Sequence, residues 1–253
     1  MVMDLLIASL TDRPDLAVVF AEFPDSWPEF MFHDLVSDVL FERLMEAHPE
    51  SSIIAIDPEN PGRPVARACA VPFHWPGNPD DSLPPGGYDQ VILSGTADMA
   101  AARERGLTAS ALEITIRPEH RGRGLSTRML DALRQTLTKL GYESLVAPVR
   151  PNEKHLFPTE SMMEYLLRLR PDGLSTDPWL RTHMRVGATF AGIAHASMTI
   201  AAPLEHWRRW TGLPFDADGP VIVPFALIPV QCDLTNDVAT YVEPNVWMHH
   251  RLI

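Results

Sequence analysis

The clearest periodicity in the chain runs from Leu125 to Leu140. Leu125, Met129, Leu133 and Leu137 recur every four residues, with Leu130 and Leu140 beside them, and Gly141 follows. That spacing predicts an amphipathic helix closed by a glycine stop. Two segments flanking it read as strands: residues 111–116 (ALEITI) alternate and end before Pro118, and residues 143–149 (ESLVAPV) form a short apolar run interrupted by Pro148. Residues 51–56 and 64–73 are apolar runs around the turn-like Asn60-Pro61-Gly62 and predict a hairpin pair. Residues 15–22 (DLAVVFAE) predict a strand, and residues 28–48 carry Phe30, Phe32, Leu35, Leu40, Leu44 and Met45 at helical spacing. Further strands are expected at 190–200, 219–224, 226–231 and 246–250. A helix is expected to follow Asp177-Pro178 and to end at Gly187. Residues 151–177 read as an insertion with its own short helix, because Ser161 and Glu164 have capping-box spacing. Residues 75–87 (WPGNPDDSLPPGG) contain nothing that predicts regular structure, and the whole stretch 76–100 is expected as a loop.

The order of elements, strands and helices interleaved with one strand–turn–helix–strand unit, predicts an α/β (α+β) fold with a mixed central sheet flanked by helices. A chain of 253 residues accommodates this as one domain with a β-rich C-terminal extension over 200–253. Apolar residues at 45% and charged residues at 21% exclude a disordered or fibrous chain. No apolar run has the ~18–20 residues of a membrane span, and the first ten residues lack the basic start of a secretion signal. Two cysteines, Cys69 and Cys232, leave room for one bridge at most, so a cytoplasmic protein with reduced thiols is expected. The net charge of −12 disfavours nucleic acid and anionic membranes as partners, since binding to phosphate rests on Lys and Arg.

The positive charges that exist are concentrated. From 117 to 134, five arginines face only Glu119 and Asp131, so this window is +3 in a chain of −12. It coincides with the strand–turn–helix Ile116-Arg117-Pro118-Glu119-His120-Arg121-Gly122-Arg123-Gly124-Leu125-Ser126. Glycines permit close backbone approach, and the first N–H groups of a helix point unpaired into such a turn. With the helix dipole and the arginine charge, this makes an anion site of the kind that holds a pyrophosphate. A P-loop needs a lysine after the glycines, and Gly124-Leu125-Ser126 has none. A dinucleotide fingerprint needs a third glycine where Thr127 stands, and an acid after the next strand, whereas Glu143 precedes it. Ser126 is not in a Gly-x-Ser-x-Gly elbow, which argues against a serine hydrolase.

The segment resembles the GNAT superfamily of acyl-CoA-dependent N-acyltransferases, whose signature Gln/Arg-x-x-Gly-x-Gly/Ala follows a strand ending in Val/Ile-x-Pro. Here Ile116-Arg117-Pro118 precedes Arg121-Gly122-Arg123-Gly124-Leu125-Ser126, with serine in the last small position. The resemblance is clearest over residues 111–190. It implies a GNAT-like fold and acetyl-CoA or another acyl-CoA as co-substrate. Residues 122–126 would cradle the pyrophosphate, with Ile114, Thr115, Ile116 and Arg121 beside it. The strands at 111–117 and 144–149 would splay to admit the pantetheine arm. Pro148, which cannot donate a ladder hydrogen bond, suits such a strand.

The resemblance also implies an acid–base pair. Glu113 is the acid on the central strand, where the family often places a base; its alternatives are solvent or an arginine partner. The family's tyrosine acid, four residues before the glycine that ends the last conserved helix, is replaced by His183, four before Gly187. A histidine can protonate a thiolate if burial does not lower its own pKa, ordinarily ~6.5; substrate contact and simple packing are the other roles open to it. His74, Trp75, Tyr88 and Trp179 are candidates for the acceptor mouth, with packing as the alternative for each. His249-His250 has no partner at metal-ligand spacing, so no metal is expected. The expected reaction is acyl transfer to an amine of a small molecule within a ternary complex. Acyl transfer to sulfur or oxygen, decarboxylation on a carrier-protein thioester, and non-catalytic acyl-CoA binding are the alternatives.

Overall fold

A computed structural model describes residues 4–23, 27–75, 82–97 and 108–253. In chain order the elements are β1 (Leu6–Ser9), α1 (Ala17–Ala21), α2 (Leu35–Ala47), β2 (Ser52–Ile56), β3 (Ala66–Pro72), α3 (Gly87–Ala97), β4 (Thr108–Ile116), α4 (Leu125–Lys139) and β5 (Ser144–Val149). They continue with α5 (Met162–Leu166), α6 (Pro178–Arg185), β6 (Thr189–Pro203), α7 (Leu204–Thr211), β7 (Gly219–Val221), β8 (Val230–Asp233) and β9 (Val238–Arg251). Nine strands form one mixed sheet in the order β1-β2-β3-β4-β5-β9-β8-β7, with β6 also paired to β9. The expected α/β class and mixed sheet are therefore present, and the C-terminal residues are strand-rich. Among the described residues no helix is long and apolar enough to cross a membrane.

The amphipathic stripe of α4 behaves as its spacing predicts. Leu125, Met129, Leu130, Leu133 and Leu137 are all buried and belong to the core on one face of the sheet. The other face is covered by α2 and α3, through Leu44, Val91 and Ile92. A third core, around Trp207, Phe215 and Tyr241, lies under the C-terminal strands. The 151–177 insertion is tied down from both sides. The capping box forms as expected, with Glu164 N–H donating to Ser161 Oγ and Ser161 N–H to Glu164 Oε2. Lys154, fully buried, donates from Nζ to the carbonyls of Phe157 and Leu227 at 2.7 and 2.8 Å, which joins the insertion to the C-terminal region.

Several expectations from local pattern are corrected. Residues 15–22 are a turn of 3-10 helix and α1, not a strand; Leu16 and Phe20, four apart, are the buried positions there, and Val18 faces out. The apolar run concealed a helical period. The expected loop at 76–100 contains α3; residues 76–81 and 98–100 lie outside the described residues. Gly95 and the β-branched residues give α3 a weak local propensity, so its packing decides. A Cβ on Gly95 would stand 3.1 Å from Leu44, which shows how closely α2 and α3 approach. Residues 226–231 are irregular up to Pro229, with the strand confined to β8, and α7 had no local signal beyond its amphipathic Leu204 and Trp207.

One feature of the sheet positions the site. β4 and β5 pair in parallel only over Thr108–Ser110 and Ser144–Val146. Beyond that, β4 stays with β3 while β5 stays with β9 as far as Val149, opposite Val246. The sheet thus opens between its two central strands. A bulge sits at the same point: Cys69 faces Glu113 and Ala70 faces Ala111, which leaves Leu112 as the extra residue. A bulge bends its strand and re-aims side chains.

Candidate active site

The opening between β4 and β5 is a cavity of about 820 Å³. Its walls include the consecutive β4 residues 111–116 and Ala147, Pro148 and Val149 of β5. Unbroken runs on both strands line it because the gap exposes strand edges rather than one face. Pro148 thus sits where β5 has left β4, while remaining opposite Trp247 of β9.

Part of the cavity lining is the glycine turn. Gly122 and Gly124 have φ of +75° and +74°, in the left-handed region that favours glycine, and space around a Cβ at either is open. Gly124 is the N-cap of α4 and no side chain caps this 15-residue helix. Its first N–H groups and its dipole are thus directed into the turn. Arg121, Gly122 and Ser126 line the cavity. Arg121 Nε donates to the carbonyl of Ile116 at 3.3 Å, which ties the turn to the end of β4. Arg123 and Gly124 are exposed on the same turn, and Leu125 is buried in the core beneath it.

Glu113 and His183 line the same cavity. Glu113 Oε1 accepts from Arg67 Nε at 2.9 Å; both side chains are buried and both line the cavity. Arg67 also donates to the carbonyl of Phe20 and lies over the rings of Phe20 and Phe23, so α1 helps hold it. Of the alternatives for Glu113, the arginine partner is realised. An arginine inside the apolar run of residues 64–73 was the available signal for it.

His183 is 1% exposed, with the Trp179 ring edge-on at 4.5 Å, and Trp179 also lines the cavity. Its Nδ1 lies 2.8 Å from Nε2 of His250 on β9, which is fully buried. Burial pushes the His183 pKa well below its ordinary value, with His250 adding to the effect. His250 is pushed to about 3 by burial and by the Arg134 guanidinium. The condition attached to His183 as an acid is therefore not met: the ring is a neutral imidazole. His250 stood out in the sequence only as one of two adjacent histidines without a metal partner; its pairing with His183, 67 residues away, has no local signal.

Another part of the lining is a buried polar wall. Arg150 Nε donates to both oxygens of Glu243 at 2.9 and 3.1 Å, and Glu243 also accepts from Tyr241 Oη and Asn245 Nδ2. Asn245 Oδ1 accepts from Ser197, whose oxygen in turn accepts the N–H of Tyr88. Arg150, Glu243, Asn245 and Tyr88 line the cavity. Tyr88 is bonded to Ser37, and burial pushes its phenol far up, so it is neutral. Gly87 is required here: a Cβ would stand 2.2 Å from Ser197 Oγ. Next to this wall, Asp34 caps α2 through the N–H of Ser37 and Asp89 accepts from the N–H of Thr199. Burial raises both carboxyls; the charge of Asp38 adds to it at Asp34, and the charge of Asp34 adds to it at Asp89, which is pushed to about 8.

His74 and Trp75 are not part of this arrangement. β3 runs antiparallel to β4, so the chain leaving β3 emerges beside the start of β4, whereas the cavity opens toward its end. His74 is exposed, and Trp75 packs edge-on against His249 at 5.2 Å. Neither cysteine lines the cavity; both are buried and free, and burial pushes the Cys69 thiol well up.

Comparison with known proteins agrees with this architecture. The family model described as the acetyltransferase (GNAT) family matches residues 16–156. The arginine N-acetyltransferase avaD of Aspergillus versicolor is 35% identical over 267 residues, which cover 94% of this chain and 91% of that protein. Among solved structures, the loading GNATL domain of CurA from Lyngbya majuscula has a TM-score of 0.57 at 19% identity, covering 98% of this chain and 97% of its own. The GphF GNAT-like decarboxylase in complex with isobutyryl-CoA has a TM-score of 0.56 at 16% identity, covering 98% and 99%. At such identities the two structures bear on the fold alone.

Proposed function

This chain belongs to the GNAT acetyltransferase family, an enzyme of acyl transfer from acyl-CoA to an amine, and from that premise we propose its acceptor and the roles of its residues. The acceptor is arginine or a small molecule that presents an arginine side chain. The relative that covers most of the chain is named for arginine, and an acidic protein with Asp38 at the cavity rim favours a cationic acceptor. Transfer takes place in a ternary complex. Neither cysteine reaches the cavity, so no thiol stands ready to carry the acyl group.

The observation that carries this reading is that one cavity is lined by the glycine turn, by Glu113 and His183, and by the polar wall. The turn fits a pyrophosphate, because α4 has no side-chain cap and both glycines leave open space where a Cβ would stand. Its backbone N–H groups, with Arg121 adjacent, hold the diphosphate. The unpaired edges of β4 and β5 hold the pantetheine amides, since each strand has N–H and C=O groups without a partner across the gap. Glu113, fixed by Arg67, accepts the proton of the attacking amine directly or through one water. His183, being neutral, donates a hydrogen bond to the negative charge that develops on the thioester as it reacts. A thiolate with an ordinary pKa of ~8.5 leaves without needing a full proton transfer from it.

The test is a thiol-release assay with acetyl-CoA and L-arginine, followed by mass analysis of the product. Acetylarginine with stoichiometric free CoA is the expected result. Acylation of a thiol or carrier protein in place of an amine would refute the acceptor assignment. Absence of any CoA binding at millimolar concentration would refute the site itself.

A further inference from the structure

The pair of histidines beneath the cavity has a structure of its own. His183 on α6 and His250 on β9 face each other through Nδ1 and Nε2 at 2.8 Å. Both are buried, and among the described residues His183 Nε2 and His250 Nδ1 have no hydrogen-bond partner. Two neutral imidazoles in such contact share one proton, so only two arrangements exist. In the first, His250 donates from Nε2, and His183 accepts on Nδ1 and keeps its proton on Nε2. In the second, His183 donates from Nδ1, its Nε2 is a bare lone pair, and His250 carries its proton on Nδ1.

The two differ in what they present on either side. The first gives His183 an N–H for the reacting thioester; the second gives it a lone pair, which repels a developing anion. The guanidinium of Arg134 on α4, whose Nε is also buried without a partner, is the strongest charge acting on His250. A cation favours a lone pair turned toward it over an N–H. With His250 Nε2 committed to His183, that lone pair is on Nδ1. Arg134 Nε is itself a buried N–H without an acceptor, its Nη1 being paired with Asp131, so a lone pair on the free His250 nitrogen suits these surroundings better than a further unpaired donor, which is the first arrangement.

We infer that His250 is a positioning residue that fixes His183 in the Nε2–H tautomer, so that a neutral histidine serves as a hydrogen-bond donor to the reacting thioester. A neutral imidazole can act in this way when its surroundings keep it from being charged. The inference rests on the proposed role of His183, but the tautomer can be read without any activity.

The experiment combines 15N spectroscopy of the histidine rings with kinetics. In the unaltered protein, His183 is expected to carry its proton on Nε2 and His250 on Nε2, unchanged across the neutral pH range. A proton on His183 Nδ1 overturns the inference outright. His250→Phe is expected to lower kcat about tenfold, as a donor becomes misplaced rather than lost, with KM for acyl-CoA unchanged. His250→Gln, which retains a donating N–H, is expected to recover most of that loss. Unchanged kcat in a folded His250→Phe protein overturns it as well. Should His250→Phe not fold, the ring spectrum of the unaltered protein decides. His183→Ala separates the two readings: full activity there removes the donor role, and the tautomer assignment stands or falls by the spectrum alone.

Discussion

Two parts of the cavity lining are built on opposite principles. The glycine turn is local: five consecutive residues, backbone N–H groups, an uncapped helix and little burial. The polar wall is assembled from afar. Arg150 and Glu243 are 93 residues apart, Ser197 and Asn245 are 48 apart, and Tyr88 and Ser197 are 109 apart. At the turn, donors are left open for a ligand. At the wall, nearly every polar group is already satisfied by another. The turn thus rests on chain-local geometry, whereas the polar wall rests on the fold as a whole.

Breaking the wall should cost the most in stability. Arg150→Met leaves Glu243, 1% exposed, without its counter-charge, and loss of about 3–5 kcal/mol is expected. Urea unfolding measures it, and acyl-CoA affinity of the folded fraction should be unaffected. An equal loss of affinity would show that the two parts are not independent. Replacing Gly122 and Gly124 together by Val inverts the pattern. β-branched residues at φ near +75° deform the turn, so affinity for CoA should fall by at least about 100-fold, or roughly 2.7 kcal/mol, in calorimetric titration. The backbone penalty in the protein itself is about 1–2 kcal/mol per site, and the chain should remain folded. Retained affinity would count against the assigned turn.

Salt sharpens the contrast. The turn is exposed and its attraction for phosphate is screened, so CoA affinity should drop several-fold between low and about 0.5 M salt. Affinity for the acceptor at the buried wall should change less. A pH-dependent effect is expected at Asp89, beside the wall. Its raised pKa means that the folded protein keeps this proton from about pH 4 to about pH 8, a range in which the unfolded chain has lost it. Its stabilising contribution is therefore complete below about pH 4 and is lost as pH rises toward 8. Asp89→Asn should melt above the unaltered protein at pH 8, and the difference should shrink as pH is lowered to 5. A constant difference would show that the proton is not held there.

Helix α4 and its turn were legible because both depend on spacing within some twenty residues. The periodic leucines, the paired glycines and the arginine excess all report one local geometry. The strands at 51–56, 64–73, 111–116 and 143–149 were legible for the same reason. Residues 15–22 were misread because Val18-Val19 favours a strand, while burial of Leu16 and Phe20 on one side requires a helix. α3 was missed because its helix is held by contact with Leu44 rather than by its own composition.

The site divides in the same way. Glu113 was visible as the acid on a central strand, but its partner Arg67 is a matter of strand register, and register depends on which faces are buried. His183 was visible from its distance to Gly187, while its protonation state came from burial and from His250, neither of which has a local trace. His74 and Trp75 were placed at the acceptor mouth by proximity in the chain, and the direction of β3 carried them away from it. The sequence by itself determined the α/β pattern and the glycine turn ahead of α4, and it singled out Glu113 and His183, which both line the cavity. Only the tertiary structure decided their partners, their charge and the polar wall of the cavity, because low dielectric and long-range pairing exist only once distant strands have come together.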